Sequence, residues 1–120
     1  MKVLVVDDEL AVAISTVLVF QRHGHEAKAA YSGEEALTVL KDFQPDLLLS
    51  DVKMSGMNGI ELAIRTCIDM PNCKVLLISG QAETADLLED ARHDGYEFEI
   101  VAKPISPREL IAKAEEMTKK

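Results

Sequence analysis

The chain has 120 residues, 48% of them hydrophobic and 28% charged, which fits one globular domain over residues 1–120. Its net charge of −8 argues against binding to a nucleic-acid backbone or to an anionic membrane surface. No apolar run approaches the ~20 residues that span a bilayer, and the two cysteines fit a reducing compartment, so a cytoplasmic protein is expected. The spacing of the cysteines matches no zinc site.

The first half of the chain alternates between strand-like and helix-like apolar patterns. Residues 3–6 are typical of a buried strand, and helical spacing follows over 9–23. A short strand is expected near 26–30. A capping box then opens a second helix over 32–43, before the apolar strand 47–51.

The second half continues this alternation. Its expected elements are a helix over 60–69, a strand over 74–79, a helix over 82–94, a strand over 98–102 and a last helix after the N-cap Ser106. Five strands alternating with five helices predict a parallel sheet covered on both faces. The expected fold is flavodoxin-like: a doubly wound (βα)5, three-layer α/β/α domain whose five-stranded parallel sheet has the order 2-1-3-4-5.

Reactive side chains follow four of the five predicted strands. Asp7 and Asp8 follow the first strand, whereas Asp51, Ser79 and Lys103 end the third, fourth and fifth. Because parallel strands end at one edge of the sheet, these groups should share a shallow cleft. An Asp at a strand end is often only a helix cap, and a single Ser or Lys there is usually a turn or surface residue. Together they favour Mg²⁺-assisted phosphoryl transfer to a carboxylate, with the ammonium and hydroxyl groups stabilising the phosphoryl oxygens.

At this point four segments make the chain resemble the receiver domain of two-component response regulators. They are VLVVDDE, PDLLLSDVKMSGMNG, VLLISG and VAKPI, and the resemblance covers essentially the whole chain. It implies a phosphoacceptor signalling domain, not an enzyme, that assists its own phosphorylation and dephosphorylation. The implied phosphodonor is a sensor histidine kinase or a histidine phosphotransfer protein.

The resemblance also implies a role for each residue of the cleft. These roles are Asp51 as phosphoacceptor; Asp7, Asp8, Asp51 and the backbone carbonyl of Lys53 as Mg²⁺ ligands; Ser79 as switch hydroxyl; Lys103 as phosphate-binding lysine; and Lys103–Pro104 as a cis peptide.

Phosphorylation is then expected to shift a surface equilibrium that changes the binding of a downstream protein partner or output domain. No direct contact with nucleic acid or a membrane is expected. Homodimerisation through the fourth helix, fifth strand and fifth helix is common in the family. Residues Glu97, Glu99, Arg108 and Lys113 permit it here without showing it. No output domain follows in this sequence, so the chain either works alone or is the receiver portion of a longer protein.

The chain departs from the family pattern in the loop after the acceptor and in the last strand. Ser55 stands where the family usually has Pro, which predicts a looser turn. Ile100 occupies the switch-strand position that is often aromatic, and we do not assume that Phe98 substitutes for it. Lys53 and Gln81 flank the expected path of a hydrolytic water, and we expect Lys53 to slow dephosphorylation relative to Asn.

Two other functions compete with this interpretation. A haloacid-dehalogenase-type phosphatase needs a second Asp two residues after the nucleophile, and Lys53 stands there instead. The other alternative is a receiver-like docking module that is never phosphorylated.

Overall fold

Ten elements alternate along the chain in the computed structural model, which describes residues 1–80 and 84–119. The strands are β1 (Lys2–Val6), β2 (Glu26–Ala30), β3 (Leu47–Asp51), β4 (Lys74–Ser79) and β5 (Glu99–Ala102). The helices are α1 (Leu10–Arg22), α2 (Gly33–Phe43), α3 (Gly59–Asp69), α4 (Thr84–His93) and α5 (Pro107–Thr118). Each predicted element is present, with ends that differ by no more than one residue, except for the predicted start of the fourth helix at residue 82, which lies outside the described residues.

All pairings in the sheet are parallel, and the strand order is β2-β1-β3-β4-β5. This result confirms the predicted flavodoxin-like arrangement. Asp51 lies opposite Ile78, and Ser79 lies opposite Ala102, so three neighbouring strands end at nearly the same level. The register therefore brings the segments after β3, β4 and β5 to one edge of the sheet.

The sheet separates two apolar clusters, because successive strand residues point to opposite faces. Leu48 packs with Phe43 and Leu62 in the cluster under α2, α3 and α4. Its neighbour Leu49 packs with Phe20 in the cluster under α1 and α5. The central leucine and valine residues of β1, β3 and β4 are buried, with helices on both faces of the sheet, which explains the continuous apolar sequence of these three strands.

The start of α3 fixes the chain close to the carboxyl end of β3. Asn58 and Glu61 form a capping box, in which each side chain accepts a hydrogen bond from the other residue's backbone N–H. A Cβ atom at Gly59 would overlap the carbonyl oxygen of Asp51, so only glycine fits at this position. Within the described ranges, no helix is long and apolar enough to cross a membrane.

Candidate functional site

Three carboxylates meet at the edge of the sheet where the strands end. Asp7 and Asp8 follow β1, Asp51 ends β3, and one carboxylate oxygen from each lies within 4.8 Å of the others. Asp7 is buried, with 5% of its surface exposed, whereas Asp51 is half-buried and Asp8 is exposed. The structure thus brings together the acids that the sequence pointed to.

Asp7 carries its charge in an unfavourable environment. Burial raises the pKa of Asp7 above its usual range, and the neighbouring Asp51 and Asp8 carboxylates raise it further. The Glu9 backbone N–H, which donates to Asp7 Oδ1 at 2.9 Å, and the Lys103 ammonium lower the same pKa without cancelling the effect of burial. A cation at this cluster would relieve both the repulsion and the cost of burying the charge.

Lys103 and Ser79 approach the acids from the last two strands. Lys103 Nζ donates to Asp51 Oδ2 at 3.1 Å, and its backbone N–H donates to the carbonyl of Ser79 at 2.9 Å. The two side chains of the ion pair are 38% and 14% exposed, so the ammonium group remains open to a ligand. Ser79 is buried, and the Lys103–Pro104 peptide is cis.

The loop between β3 and α3, residues 52–58, forms one wall of the site. Lys53 is exposed at its start. The backbone N–H of Ser55 donates to Asp8 Oδ2 at 3.2 Å, a bond that proline at this position could not make. The backbone N–H of Met57 donates to Glu34 Oε2 on α2 at 3.3 Å.

Sequence reasoning missed both of these contacts. Glu34 lies in the first turn of α2, where a carboxylate is already expected to stabilise the helix N-terminus, so nothing in the sequence relates it to a loop 23 residues away. The bond from Ser55 is a backbone interaction and has no residue signature. The absence of the family's usual proline at position 55 was the one feature of the sequence that indicated a different backbone contact in this loop.

The switch-strand position contains an aliphatic residue packed on the α4 side of the sheet. Ile100 is half-buried, lies opposite Leu77 in the register, and packs against the apolar cluster there. Phe98 packs against the same cluster, and its ring stacks on Tyr96 with centroids 6.2 Å apart and planes 5° apart. Gln81, the other position predicted to tune hydrolysis, lies outside the described residues.

The residues of the acid cluster fit a magnesium ion in their chemistry. Mg²⁺ prefers oxygen ligands and is usually bound by a few carboxylates together with water. Three carboxylates within 4.8 Å of one another supply such ligands. The arrangement can hold a divalent cation beside a carboxylate and an ammonium group.

A sequence profile and individual sequence relatives assign the chain to the same family. Residues 3–115 match the sequence profile of the response regulator receiver domain. The chain is 32% identical over 94 residues to sporulation initiation phosphotransferase F of Bacillus subtilis, covering 78% of this chain and 75% of that protein. It is 28% identical over 114 residues to the DNA-binding response regulator MtrA of Mycobacterium tuberculosis, covering 93% of this chain.

The solved structures agree with the sequence relatives. A CheY-like receiver domain protein from Methanospirillum hungatei JF-1 superposes with a TM-score of 0.87 at 26% identity, covering 98% of this chain and 92% of that one. The chain spans about half, 48%, of the length of MtrA. The similarity to that relative therefore concerns only part of the longer protein.

Proposed function

The chain belongs to the response regulator receiver domain family, and we propose that it accepts a phosphoryl group on the Asp51 carboxylate in a Mg²⁺-dependent reaction. The observation that carries this proposal is the pairing of Asp51 with Lys103 at 3.1 Å inside a cluster of acids that would otherwise repel one another. A carboxylate that only capped a helix would need neither the ammonium partner nor the two neighbouring acids.

The proposed reaction transfers the phosphoryl group from a phosphohistidine. An Asp51 oxygen forms the new P–O bond while the P–N bond to the donor imidazole breaks, and the imidazole leaves with the electron pair of that bond. Bound Mg²⁺ would supply positive charge to the phosphoryl oxygens and to the acids. Lys103, already beside Asp51, donates from its ammonium group to a second phosphoryl oxygen, and Ser79 donates its hydroxyl to a third.

Asp7, Asp8 and the carbonyl of Lys53 are the proposed metal ligands besides Asp51. Asp7 is the member whose charge is most costly when no cation is present, because it is buried beside two other carboxylates. We therefore expect Mg²⁺ binding to depend more on Asp7 than on any other single ligand of the cluster except Asp51.

The proposed phosphodonor docks on the outer face of α1. Leu10, Ile14 and Leu18 lie four residues apart on this helix and are 58%, 46% and 46% exposed, an apolar row that the described part of the chain leaves uncovered. The row begins at Leu10, close in sequence to Asp8 of the acid cluster, so one end of it adjoins the phosphoacceptor site. In this proposal, the donor protein contacts the apolar row while its phosphohistidine reaches Asp51.

Substitution on α1 tests this surface. We expect Ile14→Ser to slow phosphotransfer from phosphorylated sensor kinases and to leave phosphorylation by acetyl phosphate unchanged. Ile68→Ser is the matched control, because Ile68 is 61% exposed on α3. If both substitutions slowed phosphotransfer from the kinases equally, or if Ile14→Ser also slowed phosphorylation by acetyl phosphate, α1 would not be the docking surface.

The proposed output surface is the face formed by α4, β5 and α5. Its charges pair within the chain: Lys113 Nζ lies 3.1 Å from Glu99, and Arg92 lies 4.0 Å from Glu97. Repacking of Ile100 after phosphorylation would shift β5 and change these ion pairs. The altered face would then bind a second copy of the chain, a downstream partner or an output domain. Size-exclusion chromatography with and without acetyl phosphate distinguishes a dimer from a monomer that binds another protein.

We infer that residues 1–120 act as one domain and that it works in the cytoplasm, where its free thiols at Cys67 and Cys73 would stay reduced.

Intact-mass spectrometry tests the central proposal against a docking module. The wild type is incubated with acetyl phosphate and Mg²⁺, and the same incubation is repeated with Asp51→Ala. We expect one added phosphate on the wild type and none on the variant. A wild type that binds Mg²⁺ but stays unmodified with every phosphodonor would favour the docking module.

A further inference from the structure

The β3–α3 loop is held by two carboxylates that lie outside it. Asp8 accepts the N–H of Ser55 at 3.2 Å, and Glu34 accepts the N–H of Met57 at 3.3 Å. Asp8 belongs to the acid cluster, whereas Glu34 comes from the first turn of α2. Each end of the Ser55–Met57 turn is therefore fixed to a different element of the fold.

The contact between α2 and this turn is close. A Cβ atom added at Gly56, which has φ +74°, would lie 3.0 Å from Glu34 Oε2 and 3.5 Å from Oε1. A Cβ atom added at Gly33 would lie 2.9 Å from both Cβ and Sδ of Met57. The Glu34 carboxylate thus lies directly over the turn, and glycine on both sides of the contact makes that approach sterically possible.

The turn needs such a contact because its own backbone is weakly restricted. Gly56 has the widest conformational freedom of any residue type, and Ser55 lacks the fixed φ angle that proline would supply. Lys53, whose carbonyl is a proposed metal ligand, lies in the same loop, and Asp8 is tied to it through Ser55. Loss of order in the turn would therefore disturb two proposed ligands at once.

We propose that Glu34 is a positioning residue, which holds the β3–α3 loop in the conformation where Asp8 and the Lys53 carbonyl bind Mg²⁺. This inference rests on the proposed metal site. Glu34 acts through the Met57 N–H and makes no contact with the metal in this proposal.

Three substitutions separate the hydrogen bond from the charge. Glu34→Ala removes both, and we expect Mg²⁺ affinity to fall about three- to tenfold, as for loss of one exposed charge-assisted hydrogen bond. Glu34→Gln keeps an acceptor oxygen without the charge, and its affinity should stay within about twofold of the wild type. Asp42→Ala removes the same charge from the exposed end of α2 and should leave the affinity unchanged.

Two measurements test the inference. Calorimetric titration gives the Mg²⁺ affinity of each variant, and amide hydrogen exchange of the metal-free protein reports the Met57 N–H directly. We expect faster Met57 exchange in Glu34→Ala and protection close to wild type in Glu34→Gln. Glu34→Ala should lower the Tm by no more than about 3–8 °C, because the first-turn carboxylate also stabilises α2, and it should remain folded at the temperature of both measurements.

Wild-type affinity and wild-type Met57 exchange in Glu34→Ala would overturn the inference, as would a Glu34→Gln variant as impaired as Glu34→Ala. A wild type that binds no Mg²⁺ would instead overturn the proposed metal site. In that case Met57 exchange would still report whether Glu34 holds the loop, so the two failures are distinguishable.

Discussion

Replacing Asp7 by Asn should stabilise the metal-free protein. Burial makes the charge of Asp7 unfavourable, and the attraction to Lys103 offsets only about one of the two repulsive interactions with Asp51 and Asp8 within 4.8 Å. At 4.8 Å, one such interaction is worth roughly 0.9 kcal/mol in water and about 3.5 kcal/mol at an effective dielectric constant of ~20. Because Asp8 is exposed, solvent screens part of its charge, and we expect Asp7→Asn to raise the free energy of unfolding by about 1–2 kcal/mol.

The gain should depend on pH. The folded state raises the pKa of Asp7 above its ordinary value of 3.8, so the native protein binds this proton more tightly than the unfolded chain does. The bound proton's contribution to the free energy of unfolding is fully present when the pH is below the ordinary pKa of 3.8, and it is lost as the pH rises through the folded-state pKa. The difference in stability between Asp7→Asn and the wild type should therefore be small near about pH 4 and reach its maximum near about pH 7.

Thermal unfolding in a chelator measures this difference. A gain of about 1–2 kcal/mol corresponds to a rise in Tm of about 3–8 °C for a chain of this size. Asn can still accept the Glu9 N–H, so the local turn should survive. Added Mg²⁺ should raise the Tm of the wild type and have little effect on the variant. A variant that unfolds below the wild type in chelator at neutral pH would refute the electrostatic reasoning.

Three further substitutions test the site and the core. Lys103→Gln should slow phosphorylation by acetyl phosphate about tenfold or more, because the ammonium group no longer stabilises the phosphoryl oxygens. Lys113→Gln is the control, and equal phosphorylation rates for the two variants would contradict the role of Lys103. Lys53→Asn should release phosphate faster in a hydrolysis assay, and an unchanged rate would rule out shielding by Lys53. Leu77→Ala, at a fully buried position, should cost about 3–4 kcal/mol in urea unfolding, whereas a cost below ~1 kcal/mol would contradict its place in the core.

The order of the elements could be predicted because the two apolar periods alternate without interruption. Residues 3–6 and 47–51 read as buried strands, and helices cover both of their faces in the structure. The convergence of Asp7, Asp51 and Lys103 followed from parallel topology alone, since the carboxyl ends of parallel strands share an edge.

The wall of the site could not be predicted, because its contacts are not encoded by residue type. The bond from the Ser55 N–H to Asp8 depends on the path of the loop, and the bond from the Met57 N–H to Glu34 depends on the packing of α2. A glutamate in the first turn of a helix has a sufficient local explanation, so the sequence offers no reason to look for a second role.

Locating the phosphate on the chain tests the central claim most directly. The protein is phosphorylated with acetyl phosphate and Mg²⁺, the acyl phosphate is reduced with borohydride to homoserine, and peptides are sequenced by tandem mass spectrometry. The account predicts homoserine at position 51 alone, and none when a chelator replaces Mg²⁺. Modification at another carboxylate, or undiminished modification of Asp51 in the chelator, would contradict it.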